Sequence, residues 1–406
     1  MRTKSFSLLV PLFALGACIT NSEVGKFYSS DDGTPQQPAT GAAADAGGDT
    51  GTDGAVIETP PLSPARVRIA AGAASTCALE SGGRVICWGD NEHGQLGVGD
   101  STILYSSQPW IVPDLDIGID AVFGGGFAHC ALRKDGRVAC WGDAVFEQSS
   151  SGVYSHSVTY APTEVPELTE VATVAIGVYF QCALTIGKST KCYGLNSAGQ
   201  LGNRTFNDTY DPVEVSGIGN EGRFLAAAQS GYFACAITTA GALKCWGANV
   251  HGQLGNGSRD GAKEAAAVTG LDANVTAVAA GSDHACAIVS GSVQCWGSNS
   301  EGQLGDGTND EQLVPKPVAG LPTITALTAG NGHTCALSDA GAVYCWGNYQ
   351  GNSGSLTPVR VIDAGVTEIV AGGRHMCALY SDSVLQCWGA NDRGQLGPFS
   401  GGGASL

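Results

Sequence analysis

The chain has 406 residues, of which 43% are hydrophobic and only 14% are charged, and its formal net charge is −17. Clustered Lys and Arg side chains drive phosphate binding, so an acidic chain with 20 scattered basic residues is not expected to bind nucleic acid. No run of apolar residues is long enough for a membrane-spanning helix.

The first 17 residues have the composition of a secretory signal. Arg2 and Lys4 precede an apolar stretch from Phe6 to Leu15, and small residues follow. The end of this stretch, Leu-Gly-Ala-Cys at 15–18, resembles the bacterial lipobox, whose cysteine is lipidated and becomes the first mature residue. The resemblance implies that Cys18 carries a lipid anchor. The alternative is a signal that is cleaved elsewhere, with Cys18 as an ordinary residue.

Residues 18–54 are expected to form a flexible tether behind this anchor. Gly, Ala, Asp, Thr and Pro dominate the segment, so it cannot bury enough apolar surface to offset the entropy of ordering. A flexible chain of this length spans roughly 30–35 Å, enough to hold a domain clear of a lipid surface. Residue 19 is Ile rather than Asp, and resemblance to Gram-negative lipoproteins then favours the outer membrane of the cell envelope.

From about residue 55 the chain is periodic. A phrase of the form Cys-Ala-Leu/Ile … Cys-Trp/Tyr-Gly occurs seven times, as in CALESGGRVICWG at 77–89. Each unit holds about four short strand-like runs separated by Gly, Asn, Asp and Pro, without helical periodicity. Four-stranded repeats of this length indicate a β-propeller. The sequence therefore predicts an all-β, seven-bladed propeller over residues 55–398, with a flexible tail at 399–406.

Fourteen of the 15 cysteines form seven pairs, one pair in each unit. A turn lies midway between the members of a pair, so the flanking runs predict a β-hairpin with the two cysteines directly opposed. Opposed residues have Cβ atoms about 4.5–5.5 Å apart, close enough for a disulfide after modest adjustment. The predicted disulfides are Cys77–Cys87, Cys130–Cys140, Cys182–Cys192, Cys235–Cys245, Cys286–Cys295, Cys335–Cys345 and Cys377–Cys387. Reduced core thiols and zinc sites are the alternatives; the export signal disfavours the first, and the cysteine spacing disfavours the second.

A longer pattern surrounds the cysteine pairs, and residues 281–307, GSDHACAIVSGSVQCWGSNSEGQLGDG, are its clearest copy. This pattern closely resembles the RCC1 (regulator of chromosome condensation) repeat, whose family folds as a seven-bladed propeller. The resemblance covers about residues 55–397. The paired cysteines resemble a feature of exported bacterial members of that family rather than of its nuclear members.

Some units depart from the repeat. The second replaces the run Asn-x-x-Gly-Gln-Leu-Gly with DAVFEQSSSGVYSH, the third has Tyr193 in place of Trp, and the sixth reads NYQGNSGS. Loops that lose the repeat are free to carry a binding site, so residues 143–160 are predicted to form a recognition surface. Its candidate binding residues are Phe146, Tyr154, His156 and Tyr160. Plain divergence of the loop is the alternative.

Ring closure needs a strand that the last unit does not supply. The chain ends in GQLGPFSGGGASL, without the Pro–Val strand that follows the other units. Residues 55–57 precede the first unit, and Val56 precedes Gly72 by the same distance as Val215 precedes Gly231. We therefore expect this N-terminal strand to complete the seventh blade and to remove an open sheet edge.

Three histidines, His284, His333 and His375, recur two residues before a first cysteine. One repeat position places them on different blades around the ring, which favours structural hydrogen bonding over a metal site. Neither a metal nor another cofactor is expected.

These features predict a non-catalytic, monomeric binding propeller that touches the membrane only through its lipid and recognises a protein, a peptide or a glycan. One alternative is an inhibitor of a secreted enzyme, since the fold is similar to that of a secreted bacterial β-lactamase inhibitor. Another is a propeller enzyme, a hydrolase or lyase, whose catalytic groups are scattered over the blades. Guanine-nucleotide exchange, the activity of nuclear members of the resembling family, is disfavoured by the export signal and the acidic composition.

Overall fold

The computed structural model describes residues 68–115, 118–148, 154–349, 354–401 and 404–405, with the backbone alone at 144–148, 154–157 and 404. The predicted signal, Cys18, the tether and residues 55–57 lie outside the described residues. No helix within these ranges is long and apolar enough to cross a membrane.

Seven four-stranded antiparallel sheets follow one another along the chain, and in each of them the strands pair in chain order. These sheets are blades 1 to 7. Blade 1 holds β1 (Ile69–Ala71), β2 (Ser75–Leu79), β3 (Val85–Asp90) and β4 (Tyr105–Ile111); blade 2 holds β5 (Ile119–Gly125), β6 (Ala128–Arg133), β7 (Val138–Gln148) and β8 (Tyr154–Glu164). Blade 3 holds β9 (Val171–Ile176), β10 (Phe180–Thr185), β11 (Thr190–Gly194) and β12 (Thr209–Glu214); blade 4 holds β13 (Gly222–Ala227), β14 (Phe233–Thr238), β15 (Leu243–Gly247) and β16 (Ala262–Ala267). Blade 5 holds β17 (Val275–Ala280), β18 (His284–Val289), β19 (Ser292–Gly297) and β20 (Gln312–Pro317); blade 6 holds β21 (Ile324–Ala329), β22 (His333–Ser338), β23 (Val343–Gly347) and β24 (Ser355–Ile362). Blade 7 holds β25 (Val366–Ala371), β26 (His375–Tyr380), β27 (Val384–Gly389) and β28 (Ala404–Ser405). The predicted seven-bladed propeller is confirmed.

The first strand of every blade lines a narrow central channel with apolar side chains, among them Val122, Ile176 and Val370. One face of the ring carries the loops between first and second strands and those between third and fourth strands; we call it the loop face. The opposite face, the turn face, carries the hairpin turns between second and third strands.

Each blade contains one disulfide between its second and third strands, as predicted. In every blade the two cysteines are direct cross-strand partners, for example Cys77 opposite Cys87 and Cys286 opposite Cys295. Their Cα atoms are 4.0–4.2 Å apart, and all fourteen side chains are buried. The bridges fix the register of the hairpins, and the register in turn fixes which way the residue after each second cysteine points, a Trp in six blades and Tyr193 in blade 3.

Neighbouring blades meet along seams, which we number by their two blades. In five seams a buried Trp of one blade donates its indole N–H to a main-chain carbonyl of the preceding blade at 2.8–2.9 Å. The acceptor is always the Gln of the loop that ends in Gly-Gln-Leu-Gly, which we call the GQLG loop. Gly305 in one such loop shows why Gly follows Leu: its φ is +69°, and a Cβ there would lie 2.8 Å from the Trp346 ring.

Two amide side chains hold each GQLG loop in shape. In blade 5, Asn299 accepts the Leu304 N–H at 3.0 Å, and Gln303 accepts the Glu301 N–H at 2.9 Å. The same two bonds recur in the other four GQLG loops. The recurring polar residues of the repeat are therefore used to build the seams.

In six of the seven seams a second contact joins two equivalent positions. One is the residue two positions before the first cysteine of a blade, and the other is the residue just before the first cysteine of the next blade. The pair is polar in some seams: His284 Nε2 lies 2.9 Å from Thr334 Oγ1, and His375 Nε2 lies 2.8 Å from Thr76 Oγ1. In seam 3–4 the pair is apolar, because Phe180 packs in one buried cluster with Ala234. His284 and His375 thus make hydrogen bonds of the kind expected for structural residues, and His333 Nε2 lies 3.2 Å from Met376 Sδ.

The seventh blade is completed by the C-terminal end of the chain, which corrects the expectation for residues 55–57. Strand β28 pairs with Val384 and Leu385 of β27, the position expected for the N-terminal strand. The expected flexible tail is corrected as well, since Phe399 is buried at 4% exposure and its ring lies 4.9 Å from that of Trp88. Burying this aromatic side chain against blade 1 draws the end of the chain onto blade 7.

Blade 1 and blade 7 meet through the same contacts as the other seams and through one additional set of hydrogen bonds. The Glu368 carboxylate accepts the main-chain N–H groups of Arg68 and Ile69 at 3.1–3.2 Å. Burial raises the pKa of Glu368 to about 7, against the opposing effect of these two hydrogen bonds. The ring is thus closed by contacts between complete blades.

The seam histidines make the stability of the propeller sensitive to acid. Burial lowers the pKa of His129 and His333 to about 4 and that of His284 and His375 to about 3. An unfolded chain binds these protons near pH 6.5, so their contribution to stability is complete above pH 6.5 and is lost as the pH falls towards 4. Glu368 has a raised pKa, so its protonation stabilises the folded protein as the pH falls. This single group opposes the effect of four histidines.

We expect the free energy of unfolding, measured with denaturant on the oxidised protein, to fall steeply between pH 6.5 and 4. The double variant His284→Phe, Thr334→Ala copies the Phe180–Ala234 pair of seam 3–4 and should reduce the proton uptake on unfolding by about one. An unchanged pH slope in this variant would contradict the assignment.

Candidate recognition surface

Because the recurring residues build the seams, a recognition surface must use positions that differ between blades. One such position lies three residues before each first cysteine, in the loop between the first and second strands, around the channel mouth on the loop face. Its occupants are Ala74, Phe127, Tyr179, Tyr232, Asp283, Gly332 and Arg374. Blades 2, 3 and 4 therefore place three aromatic residues side by side.

We call Phe127, Tyr179 and Tyr232 the aromatic arc. The rings of Phe127 and Tyr179 lie 6.0 Å apart, and His93 of blade 1 stacks on Phe127 at 4.6 Å. Phe127 and Tyr179 are half-buried, while Tyr232 is 39% exposed. Accessible aromatic rings on neighbouring blades offer their π faces to a ligand.

Tyr179 is held in an unfavourable backbone conformation, with φ at +60°. A bulky residue rarely adopts a positive φ, and such strain persists only where the surrounding structure fixes it. The Tyr179 carbonyl accepts the Leu195 N–H at 2.9 Å, which ties this loop to the chain leaving the third strand of the same blade. The ring is therefore presented at a fixed position.

A carboxylate lies beside the arc. Asp143 is 8% exposed and pairs with His93 at 3.5 Å between Oδ2 and Nδ1. Burial raises the pKa of Tyr179, and the negative charges of Asp143 and of an ionised Tyr232 add to the shift. The site thus combines π faces with negative charge, an arrangement that attracts cations.

The predicted surface at 143–160 begins at this carboxylate and forms an extended hairpin in place of a GQLG loop. Strands β7 and β8 continue past the blade, with Phe146 opposite His156 and Gln148 opposite Tyr154. The side chains of Phe146, Tyr154 and His156 lie outside the described residues. Tyr160 is half-buried, and its hydroxyl donates to the Glu92 carbonyl of blade 1 at 3.3 Å.

The opposite side of the channel mouth is polar. The equivalent loop positions hold Asp283 in blade 5 and Arg374 in blade 7, and both line a pocket of 310 Å³ together with Glu301 and Asn348. Burial raises the pKa of Asp283, although His251 opposes this shift. The channel mouth therefore has an aromatic side and a charged side.

Sequence reasoning singled out residues 143–160 as a divergent loop, which the structure shows as paired strands β7 and β8, and it missed the aromatic arc. Phe127, Tyr179 and Tyr232 are about fifty residues apart along the chain, and each alone is unremarkable. The signal that could have revealed them is their shared position in three consecutive repeat units. Consecutive units form adjacent blades, so residues at the same position are neighbours in space. His93 carried no signal, because its pairing with Asp143 crosses from blade 1 to blade 2, and Asp143 was included only as the first residue of the predicted surface at 143–160.

Comparison with family models identifies the repeat. The description "Regulator of chromosome condensation (RCC1) repeat" applies to two models, one matching residues 241–288 and 290–337. The second matches residues 67–95, 226–253, 275–303, 324–354 and 366–395. The chain carries RCC1 repeats.

Similar proteins contain the same repeat within longer chains. The human E3 ubiquitin-protein ligase HERC2 is 32% identical over 235 residues, which are 56% of this chain and 5% of HERC2. The mitochondrial RCC1 domain-containing protein RUG3 of Arabidopsis thaliana is 29% identical over 194 residues, 46% of this chain and 43% of that protein. The chain thus spans less than half the length of these relatives.

Solved structures show the same RCC1-like propeller. Human WBSCR16 superposes with a TM-score of 0.67 at 22% identity, covering 77% of this chain and 91% of that chain. Prp20p of Saccharomyces cerevisiae superposes with a TM-score of 0.66 at 19% identity, covering 80% of this chain and 83% of that chain. At these identities the likeness concerns the fold.

Proposed function

We propose that this RCC1-repeat propeller is a non-catalytic binding module that works outside the cytoplasm and recognises a partner protein with its aromatic arc and blade 2 hairpin. The observation that carries the proposal is the arc itself. Phe127, Tyr179 and Tyr232 occupy one repeat position on three adjacent blades, whereas the other four blades hold Ala74, Asp283, Gly332 and Arg374 there. A binding role agrees with Prp20p, whose structure was described together with its binding properties to Gsp1p and histones.

The partner we expect presents Lys or Arg side chains. A cation over an accessible aromatic ring gains about 0.5–1 kcal/mol, and more where water is excluded. Asp143 adds negative charge at the first ring of the arc, and the formal net charge of −17 favours the approach of a basic surface.

Location outside the cytoplasm is supported by the disulfides and by the N-terminal sequence. Seven disulfides in one chain suit an oxidising compartment, because cytosolic thiols are kept reduced. The signal-like residues 1–17 and the lipobox-like residues 15–18 add a route of export and an anchor. We propose attachment to the cell envelope, at the outer membrane, through a lipid on Cys18.

The anchor is tested by Cys18→Ser in the full-length chain. We expect the unsubstituted protein to fractionate with membranes and to be released by detergent, and the variant to appear in the soluble fraction without the mass of acyl chains. The propeller should be unaffected, since all seven disulfides lie elsewhere. A Cys18→Ser protein that still sediments with membranes would show that the chain is held there by other means.

The recognition surface is tested by comparing variants of the full-length protein in affinity purification from envelope fractions. Tyr179→Ala with Tyr232→Ala should lower recovery of the specific partner by about tenfold or more, because the aromatic faces are lost. Tyr179→Phe with Tyr232→Phe keeps those faces and should retain the partner.

The matched control is Ile186→Ala, since Ile186 is 68% exposed on the turn face. Partner recovery that falls equally with Ile186→Ala, or that is unaffected by the double alanine variant, would contradict the placement of the site on the arc. If the double alanine variant still retains the partner at high salt, the interaction does not depend on cations recognised by the arc.

A further inference from the structure

The loop between the first and second strands of a blade, its first loop, is longer in blade 4 than elsewhere. In blade 3 the Gly177 N–H donates to the Phe180 carbonyl at 2.9 Å, so the loop closes after three residues. The same bond closes the first loops of blades 1, 5, 6 and 7. In blade 4 it runs from the Ala228 N–H to the Phe233 carbonyl at 3.0 Å. This loop, which carries Tyr232 of the aromatic arc, therefore has two additional residues.

Main-chain hydrogen bonds tie the first loops of consecutive blades together over part of the ring. The donor is the residue four positions before a first cysteine, and the acceptor is a carbonyl in the first loop of the next blade. These bonds join blade 5 to 6, 6 to 7, 7 to 1 and 1 to 2 at 2.7–3.3 Å, with Ser282, Asn331, Gly373 and Ala73 as donors. In the described part of the chain, no such bond joins blade 2 to 3, 3 to 4 or 4 to 5. The loops of the aromatic arc are thus not tied to one another.

Gln229 of the longer loop reaches across the channel instead. Its side-chain N–H₂ group donates to the Ala371 carbonyl of blade 7 and lies 3.5 Å from the Ala71 carbonyl of blade 1. Ala371 and Ala71 end the first strands of the two blades at seam 7–1, on the far side of the ring from blade 4. Gln229 is 9% exposed. Because both carbonyls are acceptors, the amide can meet them only through its N–H groups.

Two main-chain bonds complete the description of this loop. The Tyr232 carbonyl accepts the Ala248 N–H at 2.8 Å, a bond that recurs in all seven blades, and the Gly231 N–H lies 3.4 Å from the Ala228 carbonyl. The Tyr232 ring itself is 39% exposed. Each ordered residue of a loop costs conformational entropy, so a loop with two additional residues needs additional contacts to stay in one conformation. The Gln229 amide supplies such a contact on the side of Tyr232 that the recurring bond does not hold.

We propose that Gln229 is a positioning residue for the recognition surface. By holding the longer blade 4 loop to blades 7 and 1, it fixes Tyr232 at the end of the aromatic arc. Gln229 is buried, so it acts through Tyr232 and does not touch the partner. The inference rests on the proposed function, because it assigns Gln229 a task at the same surface.

The first test measures the order of the loop in the full-length oxidised protein without any ligand. Gln229→Met keeps the length of the side chain and removes its donors. We expect the ¹⁵N order parameters of Gly231 and Tyr232 to fall from about 0.85, typical of rigid backbone, to below about 0.6. Tyr179 in blade 3 should keep its value. The matched control is Gln108→Met on the exposed outer strand of blade 1, which should change none of these values.

The second test uses tetramethylammonium as a cation probe of the arc, followed through the side-chain resonances of Tyr179 and Tyr232. Gln229→Met should weaken binding of the probe about two- to fivefold, the change that corresponds to one cation–π contact at an exposed site. In a Tyr232→Ala background, Gln229→Met should weaken binding no further, because the residue through which Gln229 acts is already lost.

A measurement on the unsubstituted protein needs no variant to fold. The side-chain N–H₂ protons of Gln229 should exchange with solvent at least about tenfold more slowly than those of the exposed Gln108. Equal rates would overturn the proposal. It is also overturned if Tyr232 keeps its order in Gln229→Met, or if Gln229→Met weakens probe binding equally with and without the Tyr232 ring.

Failure of the proposed function would be seen separately. If tetramethylammonium moves no resonance of the arc in the unsubstituted protein, cation recognition by the arc is wrong. The order parameters and the exchange of the Gln229 amide are measured without a ligand, so they still decide whether Gln229 positions Tyr232.

Discussion

The propeller depends on one contact, the hydrogen bond from a buried indole to a main-chain carbonyl of the preceding blade. A single four-stranded sheet has two faces and cannot cover both, so every blade needs its neighbours. The indole meets this need with one side chain. Its ring fills the space between the sheets, and its N–H donates a hydrogen bond to the GQLG loop that covers that space. The tight fit leaves room only for Gly at the end of the GQLG loop, as at Gly305 beside Trp346.

The other recurring residues prepare this contact. The cysteine pairs fix the register of the central hairpin, which sets the side of the sheet from which the Trp projects. Asn299 and Gln303 hold the shape of one GQLG loop through hydrogen bonds to Leu304 and Glu301, so the carbonyl is in place to accept the indole. Each repeated residue therefore has a structural task, and recognition falls to positions that vary between blades. The aromatic arc occupies such a position, and the blade 2 hairpin occupies the place of a lost loop.

Loss of a GQLG loop has its consequence one blade further along the chain. Tyr193 and Trp388 follow blades without the loop, and they represent two responses to the missing acceptor. Tyr193 finds a partner in Gln181 within its own blade, and burial raises its pKa above the ordinary value. Trp388 keeps a donor that no described group accepts.

Much of the fold could be predicted from the sequence, because period, strand count and cysteine spacing are local properties. Cys77 and Cys87 are ten positions apart around a turn, and that spacing alone places them opposite each other. Closure of the ring could not be predicted, since the two-residue strand at Ala404–Ser405 has no pattern and its position depends on burial of Phe399 against Trp88. The aromatic arc was invisible for a related reason: Phe127, Tyr179 and Tyr232 become neighbours only when the blades are arranged in a circle.

Hydrogen exchange of the indole N–H groups tests the seam contact most directly. We predict slow exchange for the five indoles that donate to a GQLG loop, those of Trp88, Trp141, Trp246, Trp296 and Trp346. Trp388, for which the described part of the chain offers no acceptor, should exchange faster than all five, and the protein unfolded in denaturant provides the reference for an accessible indole. Protection of Trp388 equal to that of the five, or exchange of the five as fast as in the unfolded protein, would contradict the account.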